Sequence, residues 1–182
     1  MTARPQLMSS ESGEWDTPPH IVEAVRSVLG GIDLDPASSD RANSTVRATS
    51  YYTKEQDGFL YPWSGRVYMN PPYGREIGSW VETLRAHYRA GHVSEAIALL
   101  PARTDTAWWR HAGTEQVCFL RGRLRFSGAR SGAPFPSALV YYGCRAGVFV
   151  EVFSRLGECY ERRRVPERLL LSQWKEANHG QC

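Results

Sequence analysis

Arg66-Val67-Tyr68-Met69-Asn70-Pro71-Pro72-Tyr73 is the stretch on which the reading of this chain turns. Arg66 to Met69 is short and rich in β-branched and aromatic residues, the composition of a strand. Pro71 and Pro72 end that strand, because neither can donate to a sheet ladder and each fixes its own φ. Asn70 is driven towards an extended conformation by the proline that follows it. The stretch therefore predicts a stiff corner at the carboxyl end of a strand, where open α/β sheets bind their ligands.

The corner combines an amide, two prolines and a ring. An exocyclic amine or a side-chain amide is a poor nucleophile because its lone pair is delocalised. A site that accepts hydrogen bonds from both of its N–H bonds favours a more pyramidal nitrogen. The Asn70 side-chain oxygen and a proline carbonyl are suitable acceptors, and Tyr73 offers a flat face. Stacking on such a face is worth roughly 1–3 kcal/mol per base, which helps offset the few kcal/mol needed to unstack one from duplex. Taken alone, the same four residues also read as a proline-rich turn with Asn70 as a local cap.

Working outward, Trp15-Asp16-Thr17-Pro18-Pro19 precedes an amphipathic helix with Thr17 as N-cap and Pro18 at the first helical position. Ile21, Val22, Val25, Val28 and Leu29 form its apolar face, and Gly30-Gly31 ends it. Ile32 to Ser38 reads as a short strand running into an acidic turn at Asp35-Pro36. Asp57-Gly58-Phe59-Leu60 follows, before the Asn70 corner.

In this order the segments resemble amino-group methyltransferases that use S-adenosylmethionine, and in particular the phage-type DNA adenine-N6 methyltransferases, the phage Dam family. The resemblance implies that Trp15, Thr17 and Pro18 lie at the methionine end of the cofactor. It implies that Asp35 and Pro36 open the first cofactor motif and that Asp57 with Phe59 holds the adenine. Asn70, Pro71, Pro72 and Tyr73 match the catalytic motif. The family also carries counterparts of Leu100-Pro101-Ala102-Arg103-Thr104, Gly122-Arg123-Leu124-Arg125-Phe126 and Pro134-Phe135-Pro136-Ser137-Ala138. The match runs over residues 14–157. What it implies is direct methyl transfer to adenine N6 of a flipped base in double-stranded DNA, with Arg103, Arg121, Arg123 and Arg125 on the DNA.

Two departures stand out. Ser38-Ser39 replaces the usual Gly-x-Gly, which would let the backbone approach the cofactor closely. The passage from Asp35 to Asp57 is also short for helix–strand–helix, so the acidic residue that grips the ribose is unassigned; Glu55 reads as a candidate or as a solvated loop residue.

Length and composition fit one globular domain: 182 residues, 42% hydrophobic and 12% aromatic. No apolar run reaches membrane-spanning length and no signal peptide opens the chain. Cys118, Cys144, Cys159 and Cys182 lack zinc or disulfide spacing, which points to reduced thiols, no metal and a cytoplasmic setting; the resemblance implies that of a bacterium or a phage-infected host. Net charge is only +3, but Lys54 and Lys175 are the only lysines. Arginine is the cation that chelates phosphate and guanine edges with fixed geometry, and Arg121, Arg123, Arg125 and Arg130 cluster in one segment.

The predicted fold is α/β: a single Rossmann-like methyltransferase domain with a mostly parallel sheet and an antiparallel hairpin, shortened between the cofactor motifs. Residues 1–13 are a flexible lead, 14–160 the domain and 161–182 a basic helical tail. Ile77, Trp80, Val81, Leu84 and Tyr88 recur at helical spacing, which makes Trp80 a core residue. Residues 95–100 read as a buried strand, and Thr104 caps a short helix bearing Trp108 and Trp109. Residues 116–120 and 139–142 read as further strands. Between them Arg123, Leu124, Arg125 and Phe126 alternate as a half-exposed strand, either reaching over nucleic acid or shielding a sheet edge. Residues 148–156 fit a helix ended by Gly157, and Val148, Val150 and Val152 also alternate as a strand. The sequence leaves open the same chemistry on cytosine N4, RNA adenine or protein glutamine, and a non-catalytic nucleic-acid-binding fold. Monomer and weak dimer are equally open.

Overall fold

The computed structural model describes residues 15–112 and 116–161. A seven-stranded sheet organises the chain, in the order β2-β1-β3-β4-β6-β5-β7. Its members are β1 (Leu34–Asp35), β2 (Ser50–Tyr51), β3 (Gly65–Met69), β4 (Val93–Pro101), β5 (Gln116–Leu120), β6 (Ser137–Tyr142) and β7 (Gly157–Glu161). The four strands from β2 to β4 pair in parallel, and β6, β5 and β7 follow in antiparallel pairings. β1 to β5 thus run one way, and β6 and β7 the other.

Both faces of the sheet are covered, which explains why β3 and β4 are continuous apolar runs. Period-two alternation then sorts their side chains. Tyr68, Ile97 and Leu99 face one core, shared with the apolar stripes of α1 (Pro19–Leu29) and α5 (Ala146–Phe153). Val67, Met69, Ala96, Ala98 and Leu100 face the other, against α3 (Ile77–Arg89) and with Trp108 and Trp109 of α4 (Ala107–Ala112) beside it. All five predicted apolar residues of α1 are buried. Gly30, at φ 74, closes that helix by donating its N–H to Arg26 O.

Between β1 and β2 runs α2 (Asp40–Val46), capped by the Ser39 hydroxyl, which accepts from Ala42 N at 3.1 Å. A 3₁₀ turn over Gly58–Leu60 then leads into β3. One short helix and a two-residue strand make up the compact passage between Asp35 and Asp57, and Asp57 itself caps the turn that follows.

Several local expectations change. Thr17 does not cap α1: the N-cap is Pro18, with no side-chain cap bond, because the Thr17 hydroxyl is engaged with Tyr68 and Asn70. Thr104 does not cap α4 either, since the helix begins at Ala107 and Thr106 Oγ1 bonds back to Arg103 O. Leu124 and Phe126 are buried and Arg123 and Arg125 exposed, so the alternation is real. The segment nonetheless is no strand, as its backbone bonds irregularly: Ala133 N donates to Leu124 O and Ser127 N to Asp16 O. Residues 146–153 are helical, resolving the ambiguity there. Gly157 opens β7 instead of ending that helix; a Cβ on it would meet Phe119 O at 2.2 Å. The lead at 1–13 and the tail from 162 onward lie outside the described residues.

Candidate active site

The sheet order fixes where a ligand can enter. From β1 the chain passes to β2 on one side, and β3 lies on the other, so the connections diverge at β1 and β3. The crevice at their carboxyl ends is the topological switch point of an open α/β sheet. A cavity of about 710 Å³ opens there, within the range of small-molecule sites. Trp15, Thr17, Asp35, Pro36, Asp57, Phe59, Asn70, Pro71 and Pro72 all line it. Residues spread over most of the domain's first half thus converge on one space.

β1 delivers Asp35 to the wall, 2% exposed. Burial pushes its carboxyl up to about 7, opposed by the Ala37 N–H at 3.2 Å and the Ser38 side chain. Asp57 adopts φ 59 and accepts from Phe59 N at 3.1 Å, which aims Phe59 at Trp80, ring centroids 4.0 Å apart. Trp63 holds the turn from beneath through its indole N–H to Gly58 O, 2.8 Å. Gly58 meets Pro36 so closely that a Cβ would lie 2.1 Å from Pro36 O. The glycine here serves close packing of the 57–59 turn on the chain just after β1.

At the end of β3, Asn70 donates its amide nitrogen to Trp15 O at 2.6 Å and to Thr17 Oγ1 at 3.1 Å. A carbonyl oxygen only accepts, so these bonds fix which end of the amide is which. Its Oδ1 is left buried and without a hydrogen-bond partner among the described residues. Orphaned buried acceptors are rare and costly, about 1–3 kcal/mol each. This one belongs to a residue of the cavity wall.

Not every expected residue reaches the cavity. Pro18 caps α1 behind it. Tyr73 turns away from the lining, donating its hydroxyl to Leu99 O at 3.3 Å. Its ring packs edge-on against Phe126 and Phe135, at 6.1 and 5.3 Å, and burial of the phenol raises its pKa. Trp15 joins the same two rings. Arg103, Arg121, Arg123 and Arg125 are exposed and off the cavity wall, with Arg121 tied to Glu158 at 3.0 Å. They stand on segments leaving the same sheet edge as Asn70, since the antiparallel partner of Pro101 is Ser137. Glu55 is an exposed loop residue beside the wall-lining Thr53 and Lys54.

Tyr68, Gly58, Glu76 and Trp80 line the cavity without having been assigned to it. Trp80 is core, as its helical spacing indicates, but also wall. Tyr68 had a legible signal: two positions before Asn70 on one strand, it shares the same face. No group of three or more potential metal ligands occurs among the described residues, and no described helix is long and apolar enough to cross a membrane.

No curated protein matches the sequence. The family model described as DNA N-6-adenine-methyltransferase (Dam) matches residues 5–138. That span contains the cavity, the Asn70 corner and the arginine-rich segment, and with it the chain belongs to the Dam family of DNA N-6-adenine-methyltransferases.

Proposed function

We propose that this protein transfers a methyl group from S-adenosylmethionine to N6 of an adenine turned out of double-stranded DNA, in the cytoplasm, on a Rossmann-like fold. The observation that carries the reading is the orphaned, buried Oδ1 of Asn70, a residue that lines the cavity and whose amide nitrogen is already held by Trp15 O and Thr17 Oγ1.

The cavity fits the cofactor. A carboxyl at Asp35 with no ion pair among the described residues suits a polar or cationic group, and Phe59 with Trp80 gives an aromatic wall for a purine. Asp57 spends one oxygen on Phe59 N and keeps further acceptor capacity. Trp15 and Thr17 close the Asn70 end, with Pro18 behind them at the start of α1. S-adenosylmethionine supplies an electrophilic methyl on a sulfonium, already a good leaving group.

The chain's own residues then have two tasks. Asn70 Oδ1 and the Pro71 carbonyl accept the two N6 hydrogens, freeing the lone pair; Pro72 holds that carbonyl rigidly. Alignment of nitrogen and methyl supplies much of the acceleration. Tyr73 stacks the base from the Trp15–Phe126–Phe135 cluster, beyond the space reserved for cofactor. Arg103, Arg121, Arg123 and Arg125 grip the phosphates.

The test is transfer of tritiated methyl groups to duplex DNA, followed by nucleoside analysis. The expected product is N6-methyladenine, with Asn70→Ala inactive yet still binding cofactor. Label in cytosine, or full activity in Asn70→Ala, refutes the assignment.

A further inference from the structure

Asn70 can act only if its amide stays oriented, and the groups that orient it form a chain reaching into the core. Trp15 O and Thr17 Oγ1 take its two N–H bonds. Thr17 Oγ1 lies 2.7 Å from the Tyr68 hydroxyl, a buried contact joining residues 51 positions apart. Tyr68 is wholly buried, and that burial keeps its phenol protonated.

A threonine hydroxyl has one proton and two lone pairs, and its proton rotates to suit its surroundings. Left alone, it could point at Asn70 and meet the amide N–H head-on. A fixed hydroxyl partner on the far side removes that choice. With Tyr68 there, either the Thr17 proton is directed towards the phenol or Tyr68 donates into one Thr17 lone pair and the Asn70 N–H bond turns the Thr17 proton aside; in both cases a lone pair is left to accept from Asn70. The chain builds this arrangement itself, since Asn70 follows β3 directly, two positions after Tyr68, and both side chains reach Thr17 Oγ1.

We infer that Tyr68 and Thr17 form a hydroxyl relay that positions the Asn70 amide, making Tyr68 a positioning residue for methyl transfer and giving Thr17 a role towards Asn70 rather than only towards cofactor. The inference rests on the proposed function of Asn70.

The variants Tyr68→Phe, Thr17→Val and Thr17→Ser separate the possibilities. Tyr68→Phe removes one oxygen, and Thr17→Val keeps the shape. Each is expected to lower kcat roughly tenfold, the kinetic equivalent of about one hydrogen bond, with KM for S-adenosylmethionine within about twofold of the parent. Thr17→Ser restores kcat, and the double variant Tyr68→Phe/Thr17→Val is no slower than Thr17→Val, because the two act as one unit. The Asn70 side-chain amide resonances, assigned by their loss in Asn70→Asp, give a readout independent of activity. They are expected to exchange slowly in the parent and in Thr17→Ser, and faster in Tyr68→Phe and Thr17→Val. Unchanged kcat and exchange in Tyr68→Phe overturn the relay, as does a Thr17→Val whose only defect is a raised cofactor KM. A parent protein that methylates no DNA refutes the proposed function instead, and the exchange rates still decide the relay.

Discussion

Asp35→Asn is expected to stabilise the free protein at pH 8 while weakening its hold on cofactor. The carboxyl is buried with no cation beside it, and its folded-state pKa is about 7 against 3.8 in an unfolded chain. Between those values the folded state keeps a proton that the unfolded state has lost, so stability falls as pH rises through this window and levels off above it. The gap is about three pH units, or roughly 4 kcal/mol, since each unit is worth 1.36 kcal/mol. Measured from pH 5 to pH 8, only the part above pH 5 appears, about 3 kcal/mol. Asparagine never ionises, and its carbonyl oxygen can still accept from Ala37 N–H. Denaturant unfolding of parent and variant at both pH values is the assay: the variant should gain about 3 kcal/mol relative to the parent at pH 8 compared with pH 5. Saturating S-adenosylmethionine, at about a hundred times its Kd, should stabilise the parent by roughly 2.7 kcal/mol and the variant far less. An advantage of the same size at both pH values refutes the argument, because the burial cost would not be electrostatic.

Gly58→Ala places a Cβ where Pro36 O already stands, so the 57–59 turn must retreat by about 1 Å; overpacking of this kind costs about 1–3 kcal/mol, and titration calorimetry should show cofactor affinity falling more than Tm. Arg145→Ala strands Glu95, which is buried and bonded to both Tyr141 and Arg145; with the guanidinium partly screened by solvent, a loss of about 2 kcal/mol is expected in denaturant unfolding. Arg123→Ala with Arg125→Ala should flatten the plot of log binding constant against log salt by about 2 in slope, near 0.9 per phosphate released, without changing kcat at saturating DNA. Tyr73→Phe should lose about 1 kcal/mol of stability with its bond to Leu99 O and retain methyl transfer in the tritium assay.

What could be read from the residues was whatever depends on local pattern and stiff chemistry. The α1 stripe, the β3–Pro71 stop and the strands at 95–100 and 116–120 follow from periodicity and from where proline cannot go. Nine of the expected site residues meet in one cavity because each is next to a turn whose geometry is locally encoded. Long-range hydroxyl chemistry was not legible in this way. Thr17 looks like a cap in one dimension; only when β3 lies beside it does its oxygen find Tyr68 and Asn70 instead. The strand at 157–161 was hidden too, since its reason for being one is Gly157 nestling against Phe119 O in a neighbouring strand. The alternation at 123–126 was seen correctly but pointed to a sheet, because burial period does not say whether a backbone partner exists.

The placement of Tyr73 joins the two ends of the reaction. A planar base needs a planar neighbour, and the Tyr73 ring stands against Phe126 and Phe135, which Trp15 also packs on, rather than in the cavity. Phe126 and Phe135 belong to the arginine-rich excursion between β5 and β6. Trp15 carries the carbonyl that holds the Asn70 amide, and Asp16 bridges to Ser127 on that excursion. The arginine-rich segment and the Asn70 amide are thus fastened to one strut, residues 15–17. Deleting the strut's ring by Trp15→Ala should therefore disturb two properties together. It removes packing from the excursion, worth less than the about 3 kcal/mol of a fully buried aromatic because Trp15 is half-buried, and loosens the carbonyl that orients Asn70. If DNA affinity and kcat both fall in the same variant at saturating cofactor, the coupling is real. If affinity falls alone, Trp15 serves only the excursion, and the Asn70 amide takes its orientation from Thr17.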